Sequence, residues 1–421
     1  MKALNQFIKL ISNKEVVINI ALRLSVLVSK FFFIFLAAKY LSLSDMGEYG
    51  IFIASVTYSI YLIGFDFYTF SNRAFIQSES EQALIASKQL SFNLLSLSLV
   101  TIPFLLLFFL DVFSVDILLI FCMVVISEYL GQEIGRLLIA SGRVIAASWT
   151  LFIRSALWSY IVVFLMVFNP DYISLKVILG FWLLSSWLAL FIGVYYLRDI
   201  FSLAPFKFNI DSKWIIRGIN ISIILFFGTL LARAVFTGDR LILELLGHKE
   251  LVGIYAVYVG LCNVFMTFAD SAVFQFSYPK QIKNFKNKNM HAILNQMKKD
   301  AVAIVFVYIL IISGYYVLLE FLFSYIGKQE YLNYINYFWG LLIAYFFIVI
   351  SYIPHYVIYA ANEDRKILKT HFFQFLVFFV SVFGLYVATD INVFMNIVLA
   401  MLLSSVITFL SKAFYCYQVL K

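Results

Sequence analysis

The sequence predicts an all-α integral membrane protein with about twelve transmembrane helices, arranged as two six-helix lobes. Hydrophobic residues make up 63% of its 421 residues and charged residues only 13%, whereas soluble domains have roughly 45–50% and about 25%. The apolar residues form runs of spanning length, and Lys and Arg collect in alternate connections between these runs. A water-soluble fold would have to expose much of this apolar surface, which favours aggregation.

The predicted spans follow from the length of the apolar runs. A helix needs about 20 mostly apolar residues to cross a bilayer. Runs of this length indicate helices, because strands of a membrane barrel have only about ten residues. The predicted spans are Val16–Tyr40, Met46–Phe70, Gln89–Leu110, Ile117–Ala140, Ala147–Phe168, Ser174–Leu197, Trp214–Phe236, Val252–Phe276, Ala301–Ser324, Ile335–Tyr359, Ile367–Ala388 and Ile391–Tyr417.

The N-terminus reads as an uncleaved first span. Lys2, Lys9 and Lys14 precede the first apolar run, and that run continues to full spanning length. No small-residue cleavage site follows the run, as one would after a secretory signal.

The orientation follows from the excess of Lys and Arg in cytoplasmic loops. One set of connections is strongly basic and the other set is mostly acidic, which predicts that both termini are cytoplasmic. Anionic lipid headgroups then account for the net charge of +8, and no nucleic-acid partner is needed. The basic set includes Lys88, Arg136, Arg143, Lys213, Lys283, Lys286, Lys299, Lys366 and Lys412, and the acidic set includes Asp111, Asp116, Asp171, Glu250 and Asp390.

A polar connection near Pro205 divides the chain into predicted lobes of residues 1–205 and 206–421. The second and eighth spans both begin with an acidic residue followed by Gly-x-Tyr, at Gly47 and Gly253. Six spans per lobe give both lobes the same orientation in the membrane, which predicts a parallel repeat. By analogy with such proteins, the substrate path lies between the lobes and its access alternates.

Cysteine and histidine usage predicts no metal site and no cofactor. The three cysteines, Cys122, Cys262 and Cys416, lie far apart within apolar runs. The four histidines show no pair at ligand spacing.

Ionisable residues inside the spans are the candidate functional residues, because such residues are costly in a bilayer. Four cations are predicted to line the substrate path, and three carboxylates are predicted to couple an ion or to partner these cations. The cations are Arg23, Lys30, Arg154 and Arg233, and the carboxylates are Asp66, Glu128 and Asp270.

Structural alternatives remain for several of these charges. Glu128, Gln132 and Arg136 form a stripe along one helix face, so Glu128 and Arg136 can also be a structural ion pair. Arg136, Arg240 and Lys39 lie near span ends, where long cationic side chains reach the interface. A cavity with surplus cations suits an anionic cargo, since arginine matches phosphate oxygens with paired donors.

Two short segments carry a family resemblance. Residues 41–50 (LSLSDMGEYG) resemble the turn between the first two spans of polysaccharide exporters. Residues 237–243 (TGDRLIL), followed by 252–255 (VGIY), resemble the matching segment after span seven. Together with length and span count, these segments resemble the O-antigen or capsular repeat-unit flippases (Wzx-type) of the multidrug/oligosaccharidyl-lipid/polysaccharide exporter superfamily.

The resemblance implies a function and a location. The protein would move an undecaprenyl-pyrophosphate-linked oligosaccharide from the cytoplasmic to the outer face of a bacterial inner membrane, in lipopolysaccharide or capsule biosynthesis. The implied partners are the lipid-linked oligosaccharide, a coupling cation (H⁺ or Na⁺), and polymerase and chain-length proteins of the same pathway. The sequence has no ATP-binding loop, which argues against direct use of ATP.

Three other functions compete with this interpretation. A drug exporter or lipid II flippase of the same superfamily would share the lobed design. A membrane O-antigen polymerase or glycosyltransferase would need a sizeable outward loop, and the predicted outward loops are about a dozen residues at most. A membrane scaffold would bury charges without using them. The sequence therefore predicts a transporter and not an enzyme.

Overall fold

The computed structural model describes residues 14–203, 209–388 and 392–421, and these residues contain helices and turns but no strand. Twelve helices within them are long and apolar enough to cross a membrane, so the predicted number of spans is confirmed. Lys2, Lys9, Pro205 and Asp390 lie outside the described residues. We number the spans α1 (Lys14–Tyr40), α2 (Leu43–Gly64), α3 (Gln82–Phe109), α4 (Val115–Ala140), α5 (Val144–Phe168), α6 (Leu175–Tyr196), α7 (Ser212–Leu245), α8 (Lys249–Lys286), α9 (Met290–Ile326), α10 (Ile335–Ala360), α11 (Asp364–Ala388) and α12 (Val393–Leu420).

The second span ends earlier than predicted. It stops at Gly64, and the next two residues, Phe65 and Asp66, take left-handed φ values of 51° and 48°. A separate short helix, Tyr68–Gln77, follows. Aspartate tolerates this backbone region better than most residues because its short side chain can bond locally. The prediction that Asp66 lies well inside a span is therefore wrong: it lies in a turn.

Two spans contain a π-helical turn. Residues Ile153–Leu157 of α5 and Asp270–Phe274 of α8 each form one. Such turns insert an extra residue into an α-helix and often mark functional sites. Arg154 lies in the first and Asp270 begins the second, so two of the predicted site residues occupy irregular helix geometry.

The start of α7 is capped by Asp211, which is also bonded to a lysine of α3. Asp211 accepts a hydrogen bond from the Trp214 backbone N–H at 3.1 Å, and the Lys88 ammonium lies 2.8 Å from the other carboxylate oxygen. The hydrogen bond from Lys88, followed by that from Trp214, holds the pKa of Asp211 below its usual range. An acidic group at a helix start also complements the helix dipole.

Residue contacts divide the chain into two compact units. Among the described residues, unit 1 contains those of 14–40 and 55–223, and unit 2 contains those of 41–54 and 224–421. The first half of α2 therefore packs with the later helices. The predicted lobes, 1–205 and 206–421, are halves of a sequence repeat, which this division does not test, and they stay a prediction.

Within unit 2, the two Gly-x-Tyr segments meet at a close helix crossing. A Cβ atom on Gly47 would overlap the Lys249 carbonyl oxygen, and one on Gly253 would overlap the Leu43 carbonyl oxygen. Both overlaps are with rigid backbone, which cannot move aside as the end of a side chain can. Small residues at such crossings let membrane helices approach closely. The motif that carries the family resemblance thus has a packing role.

Replacing Gly253 with alanine is expected to destabilise the protein by roughly 1–3 kcal/mol, because the added methyl group forces the two backbones apart. Gly314 of α9 provides the control, since a Cβ there would meet nothing within 4 Å. Gly314→Ala should be neutral or stabilising by up to about 1 kcal/mol through helix propensity. Thermal unfolding of both purified variants measures the difference. Equal melting temperatures would show that the crossing tolerates a side chain.

Candidate functional site: a cationic cavity in unit 1

Glu128 of α4 is the centre of a polar cluster in unit 1. One of its carboxylate oxygens accepts hydrogen bonds from the Trp182 indole N–H at 2.8 Å and from the Ser186 hydroxyl at 2.7 Å. The other lies 3.3 Å from the Arg154 guanidinium. The side chains of Glu128 and Arg154 are only 12% and 15% exposed. Both carboxylate oxygens of Glu128 therefore interact with other groups of the protein, and these interactions hold the side chain in one orientation.

The π turn of α5 places Arg154 against α4. Its guanidinium also donates to the Glu128 backbone carbonyl at 2.9 Å. Gly131 leaves room for this side chain, because a Cβ at Gly131 would lie 3.2 Å from the Arg154 Cδ. The Ser185 hydroxyl of α6 donates to the carbonyl of Ile153, the first residue of the π turn. Groups of α4 and α6 therefore hold the π turn and the Arg154 side chain in place.

Lys30 of α1 lies on an aromatic surface beside this pair. Its ammonium is 4.2 Å from the centre of the Trp158 ring, and Trp158 stacks on Trp182 with centroids 5.6 Å apart. Lys30 interacts electrostatically with both Glu128 and Arg154. Indole faces attract cations, and this attraction increases when the cation is desolvated. Neither tryptophan could be singled out from the sequence, because aromatic residues are very frequent in this chain.

Arg23, which precedes Lys30 on α1, is held by an amide instead of a carboxylate. Its Nε donates to the Asn19 side-chain oxygen at 3.1 Å, and the Ser148 hydroxyl donates to the same oxygen at 2.7 Å. Among the described side chains, no carboxylate lies within 4 Å of Arg23. Its charge is thus available to a ligand.

Arg136 does not pair with Glu128. It forms an ion pair with Glu133, which is 4% exposed, and the Gln89 amide donates to the other Glu133 oxygen at 3.2 Å. The Arg136 guanidinium also lies 3.6 Å above the Tyr68 ring. The expected ion pair between Glu128 and Arg136 was wrong: Arg136 pairs with Glu133, three residues earlier on α4, and Glu128 pairs with Arg154.

A cavity of about 180 Å³ opens between these side chains. The cluster around it contains four cations, Arg23, Lys30, Arg136 and Arg154, and two carboxylates, Glu128 and Glu133. The cluster therefore has four positive and two negative side chains, which is an excess of two positive charges. Its polar lining consists of Arg23, Gln132, Arg136, Ser148, Thr150 and Arg154. The structure thus brings three of the four predicted path cations, Arg23, Lys30 and Arg154, into one cluster with Glu128.

The remaining predicted residues lie elsewhere. Arg233 of α7 and Asp270 of α8 belong to unit 2, and Asp66 lies in the turn after α2. Asp270 is exposed, as are Asn263 and Thr267 of the same helix. The predicted polar face of α8 is therefore present.

A buried polar triad in unit 2 was also missed. Arg240 is 8% exposed and does not reach the interface, contrary to expectation. Its guanidinium donates to the Phe236 carbonyl at 2.6 Å and lies 3.5 Å from Asp239. The Tyr255 hydroxyl donates to Asp239 at 2.8 Å. The Asp-Arg and Gly-x-Tyr segments are thus bonded to each other, which gives the second part of the family resemblance a structural role.

Solved structures with this fold include multidrug transporters. An inward-facing multidrug resistance MATE family transporter of the MOP superfamily superimposes with a TM-score of 0.69 at 10% identity, over 95% of this chain and 98% of that one. The MATE multidrug transporter DinF-BH, solved as a complex, gives 0.64 at 12% identity, over 95% and 94%. A MATE protein in the bent conformation gives 0.61 at 10% identity, over 98% and 97%. No protein-family profile and no curated protein matches the chain.

These likenesses establish the fold. The chain has the two-lobed, twelve-helix fold of MATE transporters of the MOP superfamily. The predicted fold class is confirmed, and the protein is a multi-pass membrane protein. Fold alone does not determine the cargo, which depends on the chemistry of the site.

Proposed function

We propose that this protein is a flippase for a lipid-linked oligosaccharide. It moves an undecaprenyl-pyrophosphate-linked repeat unit of O-antigen or capsule from the cytoplasmic to the outer face of a bacterial plasma membrane by alternating access. The observation that carries this proposal is the cationic cavity of unit 1, with its excess of two positive charges. The fold shared with transporters supports transport as the activity.

The chemistry of the cavity suits a pyrophosphate group. Arg23 presents a guanidinium without a carboxylate partner, and guanidinium groups bind phosphate oxygens with two parallel hydrogen bonds. Lys30 adds a charge that lies on a ring face and is in no ion pair with a described carboxylate. An anion entering the cavity can therefore contact Arg23 without breaking an ion pair, and Lys30, which is not part of the cavity lining, adds to the positive charge of the cluster.

We further propose that the cycle is coupled to a cation, H⁺ or Na⁺. Glu128 already accepts bonds from Trp182, Ser186 and Arg154, so we assign it the role of charge partner. Asp66 and Asp270 remain the candidates for coupling. Asp270 is exposed and begins the π turn of α8, and such turns often mark functional sites.

The proposed cargo also fixes the orientation and the pathway of the protein. Both termini are proposed to be cytoplasmic, since the basic connections lie on the side of the N-terminus. The repeat unit delivered outside would pass to a polymerase and its chain-length partner. The protein itself would make no covalent bond.

The test is a deletion strain analysed for its lipid-linked glycans. Mass spectrometry identifies the undecaprenyl-linked species, and an added lectin reports whether their glycans are accessible from outside. Complete repeat units that accumulate and remain inaccessible support the flippase. Single repeat units that appear outside but are not joined would mean that polymerisation is lost, which contradicts the proposal.

A drug exporter is the second candidate, because DinF-BH, which has the same fold, is a multidrug transporter. The cation excess of the cavity argues against a cationic drug as cargo. Drug susceptibility of the same deletion strain separates the two functions. A strain that becomes drug-sensitive while exporting normal polysaccharide would support the exporter. Accumulation of lipid II instead of a repeat unit would identify a lipid II flippase.

A further inference from the structure

A second group of basic side chains lies in unit 2, on three different helices. Lys412 of α12 is only 3% exposed. The rings of His355 on α10 and His371 on α11 lie 6.3 Å apart. The Lys412 ammonium lies 3.4 Å from the Ser351 hydroxyl and 5.4 Å from the centre of the Tyr352 ring. The sequence alone did not bring these three side chains together, because they lie on three different helices.

The local backbone explains why these side chains meet. Pro354 cannot donate a backbone hydrogen bond, and α10 is interrupted at Ser351, a few residues before it. The interruption leaves the Ser351 hydroxyl facing Lys412. On the α7 side, a Cβ at Gly228 would lie 3.7 Å from the His371 ring. A glycine at this position keeps side chains of α7 out of the group.

The charges around the imidazoles are all basic. The charged groups that act on His355 are Lys412 and His371, and those that act on His371 are Lys412 and Arg233. No ion pair joins Lys412 to a described carboxylate. Asp270 acts on Tyr356, the residue after His355. A buried ammonium such as that of Lys412 is costly unless an anion or another acceptor joins it.

The hydrogen-bonding capacity of the group is largely unused. An ammonium has three donors, and Lys412 makes one long bond. The Nδ1 atom of His355 is buried without a hydrogen-bond partner among the described residues. The Nδ1 atom of His371 is 3.2 Å from the Gln374 side-chain oxygen. The unused donors of Lys412 would therefore need acceptors from an incoming ligand.

We infer that Lys412, His355 and His371 form a second anion-binding site whose ligand is a phosphate or pyrophosphate group. Several oxygens on one small anion match donors that converge from three helices. A metal ion fits less well, because no group of three metal-ligating side chains occurs among the described residues and Lys412 repels a cation. That the anion is the pyrophosphate of a lipid-linked cargo rests on the proposed function, whereas the site itself does not.

The test uses purified full-length protein in detergent with inorganic pyrophosphate as the probe. Lys412→Met keeps the length of the side chain and removes its charge, and a neutral residue is expected to be tolerated at a buried position. Lys369→Met changes an exposed lysine of α11 and serves as the matched control. Calorimetric titration of wild type should show two binding equivalents. Lys412→Met should lose one of them, with an affinity loss of about tenfold or more at that site, while Lys369→Met keeps both.

Arg23→Gln identifies which equivalent belongs to unit 1. If it removes one equivalent and Lys412→Met removes the other, the second site is supported. A folded Lys412→Met protein that binds pyrophosphate like wild type would overturn the inference. Should Lys412→Met unfold, His355→Asn/His371→Asn provides the same comparison, and unchanged binding in that variant overturns the inference as well.

The source of the anion is resolved by competition. Vesicles containing a polyprenyl diphosphate that displace pyrophosphate from the Lys412-dependent site would identify a lipid headgroup. Displacement by inorganic phosphate alone would identify a soluble anion, and the site would stand in both cases. Normal polysaccharide export in the deletion strain would refute the flippase proposal without affecting these binding results, so the two failures can be distinguished.

Discussion

Replacing Glu128 with alanine is expected to destabilise the protein by about 3–5 kcal/mol, because the substitution leaves a buried arginine without its counter-charge. The Trp182 indole and the Ser186 hydroxyl would also lose their shared acceptor. Thermal unfolding in detergent, followed by tryptophan fluorescence, measures the loss. The same signal reports on Trp158 and Trp182 directly, since both lie in the cluster.

Lys176 and Asp116 form the matched control. Their ion pair is shorter, at 3.0 Å, but its side chains are 58% and 71% exposed. Exposed pairs contribute at most about 1 kcal/mol, so Asp116→Ala should hardly change the melting temperature. Adding Arg154→Met to Glu128→Ala should recover part of the stability, because the unpaired charge is then removed as well. Similar small losses for Glu128→Ala and Asp116→Ala would show that the cluster is solvated.

Replacing Arg23 with glutamine is expected to lower transport roughly tenfold to hundredfold, since a charge-assisted hydrogen bond contributes about 1.5–3 kcal/mol. Folding should be unaffected, because Arg23 bonds to Asn19 and no buried carboxylate depends on it. Arg23→Lys keeps the charge but loses the paired donors, so its activity should be intermediate. Complementation of the deletion strain, with lectin accessibility as the readout, measures transport.

The comparison for Arg23 is an arginine of unit 1 outside the cavity. Arg198 is 62% exposed, and its guanidinium lies 4.2 Å above the Tyr195 ring. Arg198→Gln should export glycan normally at the same expression level. Full activity of Arg23→Gln would exclude this residue from the substrate path. A drop in expression that matches the drop in export would instead assign Arg23 a structural role.

The four path cations predicted from sequence now divide by their partners. Arg23 and Lys30 form no ion pair with a described carboxylate, so their loss should affect cargo and not folding. Arg154 is ion-paired to Glu128, so its removal should affect both. Arg233 lies in unit 2, within electrostatic range of His371, which connects it to the second basic group. The four cations therefore do not share a single role.

The predicted spans agree well with the structure because the signal is local. A run of apolar residues can satisfy its backbone only within its own helix, so length and composition suffice to locate it. The errors occur where the helix is irregular. The turn at Phe65 and Asp66 lies inside an apolar run, and the π turns of α5 and α8 leave the hydropathy unchanged. Neither feature alters the pattern from which spans are predicted.

Composition and periodicity determined that this chain is a twelve-span membrane protein with a few ionisable residues inside its spans, and such residues are candidates for function because lipid accepts charges only at a high cost. Only the tertiary structure decided which charges meet. Glu128 pairs with Arg154 on α5 and not with Arg136 on its own helix face, and Lys412 lies with His355 and His371 of two other helices. Periodicity specifies one face of a helix, whereas a pair depends on which face of which neighbour it packs against. That choice comes from crossings such as the one at Gly47 and Gly253, where missing side chains allow two backbones to touch.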